Sequence, residues 1–127
     1  MPRKTFLTIN AILAFVYGLA FLLVPAVVVT IFEVAKPSPN VDLNLQFFGS
    51  ALLGVGVLLW LAKDFQDWQA IRGVLIANVV LDAAGLVINL RGHFLGLMNH
   101  IAWSSSIVYL LLLVASLYYL QQKDKLA

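Results

Sequence analysis

The chain has 127 residues, of which 62% are hydrophobic and only 11% charged, and its mean hydropathy is +0.96. A soluble domain carries about 25% charged residues, so this sequence has too few charges to coat a water-facing surface and reads as a membrane protein. The net charge of +2 comes from basic residues scattered at segment ends, which argues against a nucleic-acid surface, and the absence of cysteine excludes disulfides, thiolate nucleophiles and cysteine metal sites.

A bilayer core about 30 Å thick is crossed by about 20 apolar residues in a helix. Four segments satisfy this length. The first runs from about Phe6 to Val24. Arg3 and Lys4 precede it, as in a signal peptide, but the apolar run exceeds the usual 7–15 residues and no small-x-small cleavage site follows. It is therefore expected to remain as a span. Apolar character continues past Pro25 to Phe32. Proline has no N–H to donate and clashes with the preceding turn, so the first helix is expected to be kinked or broken at Pro25. Pro25–Phe32 is then a kinked extension or a short interfacial helix. The connection Glu33–Asp42 follows, and within it Lys36-Pro37-Ser38-Pro39-Asn40 reads as loop.

The second span is expected over Leu43–Leu61, the third over Ile71–Leu90 and the fourth over Met98–Leu120, joined by Ala62–Ala70 and Arg91–Leu97. The expected fold is all-α: one domain over residues 1–127, an integral membrane four-helix bundle with up-down topology and short loops. No room is left for a soluble catalytic or receptor domain. Ser50 and Gly54, and Gly73 and Ala77, are pairs of small residues four apart, which read as close helix contacts inside the bundle.

Orientation follows from the basic residues. Arg3, Lys4, Lys63, Arg72, Lys123 and Lys125 lie on one side and Lys36 and Arg91 on the other, six against two. The positive-inside rule places both termini in the cytoplasm. Trp60, Trp68, Tyr118 and Tyr119 then form the inner aromatic belt, with Phe32, Phe47 and Trp103 towards the outer one.

Five of the six acidic residues are expected in loops or the tail, whereas Asp82 falls near the middle of the third span. A central aspartate costs about 2.5–3.5 kcal/mol on insertion scales, so it must face protein or water. At 100° per residue, Asn78, Asp82, Gly85 and Asn89 fall within an arc of about 60°. Read functionally, Asp82 is a proton or cation site, or the anchor for a ligand amine or hydroxyl. Read structurally, it is a protonated carboxyl donating a hydrogen bond between helices, a contact of roughly 0.6 kcal/mol. Tyr109 and Tyr17 lie near its depth and are its candidate partners, although ordinary aromatic packing accounts for both.

Polar groups also gather towards the outer half. Asn89, Asn99, Trp103 and Ser106 are candidates to line an outward-opening pocket, and helix caps and interfacial residues are the plainer account. His93 and His100 lie at the outer boundary, where solvated interfacial histidines are common; no carboxylate cluster accompanies them, so no metal, haem or other cofactor is expected. No nucleophile elbow, phosphate loop or dinucleotide fingerprint is found, and an enzyme is the least supported class.

Asn10, Gly18 and Pro25, then Phe48-Gly49-Ser50-Ala51-Leu52-Leu53-Gly54-Val55-Gly56 with Trp60 and a basic turn, resemble a broad group of uncharacterised bacterial four-helix membrane proteins and are loosely similar to DoxX-like proteins. The resemblance covers nearly the whole chain and rests on glycines and hydropathy. It implies the four-helix fold and the bacterial inner membrane, and no catalytic residues to carry over. Two functions are expected from the sequence. One is a non-enzymatic structural or accessory subunit, with the lipid bilayer and a membrane-protein partner or second copy as its partners. The alternative is a bundle that handles a small molecule, a lipid, or a proton or cation through Asp82.

Overall fold

The computed structural model describes residues 2–32 and 39–122, and all the regular structure there is helical. The order is α1 (Arg3–Leu23), α2 (Pro25–Phe32), α3 (Pro39–Ala62), α4 (Trp68–Phe94), a 3-10 turn (His100–Ala102) and α5 (Trp103–Leu120). Among the described residues, α1, α3, α4 and the combined segment His100–Leu120 are long and apolar enough to cross a membrane.

Local chemistry sets the ends of these helices. α1 stops at Leu23 because the residue before a proline is pushed out of the helical region, and Val24 has φ −134° and ψ 52°. The chain turns helical again at once as α2, with the Val24 carbonyl accepting from Val27 and Val28. The interruption frees the Leu22 carbonyl, which accepts a hydrogen bond from Gln46 Nε2 on α3 at 3.2 Å. In hydrocarbon such a group must find a partner inside the protein.

α3 begins earlier than expected. Pro39, Asn40 and Asp42 belong to the helix and not to the loop, because proline suits a first helical turn whose N–H groups have no partner anyway. The loop reading of Lys36, Pro37 and Ser38, with Glu33 and the basic residues Lys123 and Lys125, lies outside the described residues. α4 also exceeds its expected bounds at both ends. Asp67 caps its start, accepting from the backbone of Gln69 at 3.4 Å and Ala70 at 3.2 Å. Its end is a Schellman turn in which Gly96 takes φ +69°, Gly96 N–H reaches the His93 carbonyl and Leu97 N–H reaches that of Gly92. Arg91–Phe94 is thus helix, not loop.

α1 packs along α3 and α4 along α5, and the two pairs touch one another much less. α1 and α3 approach closely where Gly18 meets Gly49: a Cβ on Gly49 would lie 2.7 Å from the Gly18 carbonyl oxygen and 2.8 Å from the Leu22 nitrogen. The sequence-predicted small pairs do not serve here. Ser50 and Gly54, like Gly73 and Ala77, are exposed, and a Cβ on Gly54 or Gly73 would meet nothing.

The two pairs close on each other at one end. Phe6, Leu7 and Ala11 of α1, Leu59 and Ala62 of α3 and Ile71 and Leu75 of α4 are buried together there. Tyr119 joins them, stacked on Phe6 with centroids 5.1 Å apart. It is core and not interfacial belt, unlike Tyr118 and Trp60, which stay exposed. The same end carries the ion pair of Lys4 and Asp64 at 3.2 Å, and Lys63 lies over Trp60 at 4.4 Å. Asp64 accepts from Lys63 and Lys4, whose ammonium groups hold its carboxyl below the usual range. Away from this end, α2 meets the 3-10 turn, where Asn99 donates from Nδ2 to the Ile31 carbonyl at 2.9 Å.

Candidate functional site

Because the helix pairs pack tightly at the Phe6–Tyr119 end and less elsewhere, a cavity of about 440 Å³ is left between them, lined by residues of all five helices. That volume falls within the range that holds small organic ligands. Its walls are largely apolar, with Phe21, Phe48, Leu52 and Ile88 among them. The polar side chains that reach it are Asn10, Tyr17, Asp82, Asn89, Ser105 and Tyr109.

Asp82 is 2% exposed, and its Oδ2 has no hydrogen-bond partner among the described residues. Asn10, from the opposite helix pair, is likewise buried with Nδ2 unpartnered. Tyr17 and Tyr109 line the same cavity, but neither hydroxyl bonds Asp82. Tyr109 is held instead by packing: its ring lies directly over Gly85, in the space that a side chain there would fill. Asn89 turns back on its own helix, donating to the Gly85 carbonyl at 3.3 Å. Asn78 is buried with Nδ2 unpartnered and does not line the cavity.

The structure therefore brings four of the sequence candidates together: Asp82, Asn89, Tyr109 and Tyr17. Asn99, Trp103 and Ser106 do not line the cavity. Asn99 caps the 3-10 turn, accepting from Ala102 N–H at 3.3 Å. Trp103 is exposed and stacks face to face on His93 at 3.8 Å. Ser106 is buried with its hydroxyl unpartnered. An unbroken α-helix from Asn99 would place these three on one face. The tighter 3-10 turn, at three residues per turn, changes the phase, and the face that lines the cavity carries Ser105, Tyr109 and Leu112.

Asn10 is the residue that reasoning from the sequence missed as a site. Its signal was a single amide in the apolar middle of α1, and only the packing of α1 across from α4 brings it to the cavity that Asp82 lines. His100 is exposed on the 3-10 turn, and no group of three or more His, Asp or Glu side chains fit to hold a metal occurs among the described residues. Chemically, the site offers apolar volume, aromatic faces, hydroxyl and amide groups, and one carboxyl whose buried Oδ2 has no partner among the described residues. Such a set can hold a molecule by its hydrocarbon and orient it by one polar group. No family model, curated protein or solved structure matches the chain.

Proposed function

We propose that the chain is a multi-pass membrane protein that binds a small, largely apolar molecule between its helix pairs and anchors that molecule's polar group on Asp82. The observation that carries this reading is Asp82 itself, buried at the cavity wall with Oδ2 unpartnered. A buried polar group without a hydrogen bond costs about 1–3 kcal/mol, so a carboxyl serving only to join helices gains nothing from this arrangement. Mass spectrometry of the purified protein under native conditions tests it. The wild type is expected to carry a bound small molecule that Asp82→Leu loses, and equal retention by both proteins would count against the reading.

The same proposal includes the finer architecture. The spans run up and down with the first interrupted at Pro25, and both termini lie in the cytoplasm. Support comes from the grouping of Arg3, Lys4 and Lys63 at the end where Phe6 meets Tyr119, the side the positive-inside rule assigns to the cytoplasm. The resemblance in the glycines adds the bacterial inner membrane to the proposal.

A second reading, the structural or accessory subunit, is favoured by the outward position of Ser50 and Gly54 and of Gly73 and Ala77, which leaves room for a neighbouring helix to come close.

A further inference from the structure

We infer that the molecule bound in the cavity is a lipophilic amine, held as its ammonium against the Asp82 carboxylate and admitted from the bilayer between α3 and α4. This rests on the ligand-binding reading above. The first argument is charge complementarity. Among the described residues, Asp82 is the one acidic side chain lining the cavity, and no lysine, arginine or histidine lines it. The site therefore contains an acid without a counter-cation of its own. An ammonium group supplies both the opposite charge and N–H donors, and charge-assisted hydrogen bonds are about twice as strong as neutral ones. An alcohol offers only the neutral bond, and a carboxylic acid brings a like charge.

The second argument is the nature of the walls. Tyr17, Phe21, Phe32, Phe48 and Tyr109 all line the cavity. Aromatic faces attract a cation within about 6 Å of the ring and offer hydrocarbon contact to the rest of the ligand. One carboxyl among five rings, with no positive charge among the described lining residues, suits an ammonium group carried on an apolar body.

The third argument concerns access. Phe48 on α3 and Ala84 and Ile88 on α4 line the cavity and are also exposed on the outside of the protein, Ile88 by 69%. α3 and α4 follow one another in the chain yet touch only slightly, whereas each packs extensively on another helix. The cavity thus opens sideways through their seam. In a membrane that opening faces hydrocarbon, so a ligand reaches it after dissolving in the bilayer.

The test uses the full chain in nanodiscs of uncharged, zwitterionic phosphatidylcholine, with empty discs subtracted, and three matched radiolabelled probes: phenylbutylamine, phenylbutanol and phenylbutanoate. The wild type is expected to bind the amine saturably and at least about tenfold tighter than the alcohol, and the acid not measurably. Asp82→Asn should reduce the amine to the affinity of the alcohol. Leu52→Trp, which fills the cavity, should abolish binding of both, and Ile88→Trp at the seam should slow association of the amine. Equal affinity for amine and alcohol, both lost in Leu52→Trp, overturns the amine inference and leaves the cavity reading standing. No saturable binding of any probe to the wild type overturns both. The comparison of probes on the wild type decides the matter even if Asp82→Asn does not fold.

Discussion

Two polar residues on α4, less than two turns apart, meet different fates. Asn89 satisfies itself on the Gly85 carbonyl of its own helix, a bond that needs no neighbour. A carboxylate offers only acceptors and cannot take that backbone carbonyl as a partner. Asp82 makes no such bond, and among the described residues no group answers Oδ2. This separates a structural from a functional role. A structural carboxyl loses a contact on truncation, so Asp82→Leu would destabilise. An unpartnered carboxyl beside open volume loses nothing and sheds a desolvation penalty. Asp82→Leu is therefore expected to raise the stability of the ligand-free protein by about 1–3 kcal/mol, as removing functional strain often does. Reversible unfolding of both proteins in detergent measures the difference, and a loss of stability would reveal a partner for Asp82.

Glycine does different things on α3 at Gly49 and Gly54, five residues apart. At Gly49 an added Cβ would run into the backbone of α1, atoms that cannot move aside without separating the helices. At Gly54 it would meet open space. Gly49→Ala is expected to cost about 1–3 kcal/mol, the usual penalty of overpacking. Gly54→Ala should be neutral or slightly stabilising, since alanine favours helix by up to about 1 kcal/mol over glycine. Thermal melting of the two variants side by side checks this. Equal losses at both sites would mean that Gly54 is covered by another chain, as the accessory-subunit reading has it. The break between α1 and α2 belongs to the same scale. Pro25 ends one helix and starts another, and Gln46 supplies the hydrogen bond that the break leaves open.

For the whole molecule, the ends of the helices sort into two groups. The Lys4–Asp64 and Phe6–Tyr119 contacts gather the start of α1, the turn between α3 and α4, and the end of α5. The Asn99–Ile31 contact draws together the end of α2 and the start of the 3-10 turn. With native cysteines absent, single substitutions report which group faces which compartment. Leu97→Cys is expected to react with an impermeant maleimide in intact cells, and Gln66→Cys only after permeabilisation. The reverse pattern would invert the orientation.

The helical class and the four segments long and apolar enough to cross a membrane were legible without a structure, because hydropathy sums over a run of residues and needs no knowledge of neighbours. Each of the four long apolar segments has its counterpart among the helices, and Pro25 stands where α1 gives way to α2. Helix ends were less legible. Pro39 looks like a loop residue until it is seen to open a helix, and Gly96 marks a stop only through its positive φ. The polar stripe on α4 was visible because its members share one rigid helix. What tertiary structure alone decided is which residues of different helices meet: Asn10 with Asp82 at one cavity, Gly18 with Gly49, Tyr119 with Phe6, and the exclusion of Asn99 and Trp103. Those meetings depend on the rotation of each helix about its axis and on the pairing of α1 with α3 and α4 with α5. A single 3-10 turn shifts the former, and the latter is fitted by Gly18 against Gly49 between α1 and α3 and by Tyr109 over Gly85 between α5 and α4. Neither is encoded in the hydropathy of any one segment, because a hydrophobic residue scores the same whether it faces lipid or a neighbouring helix.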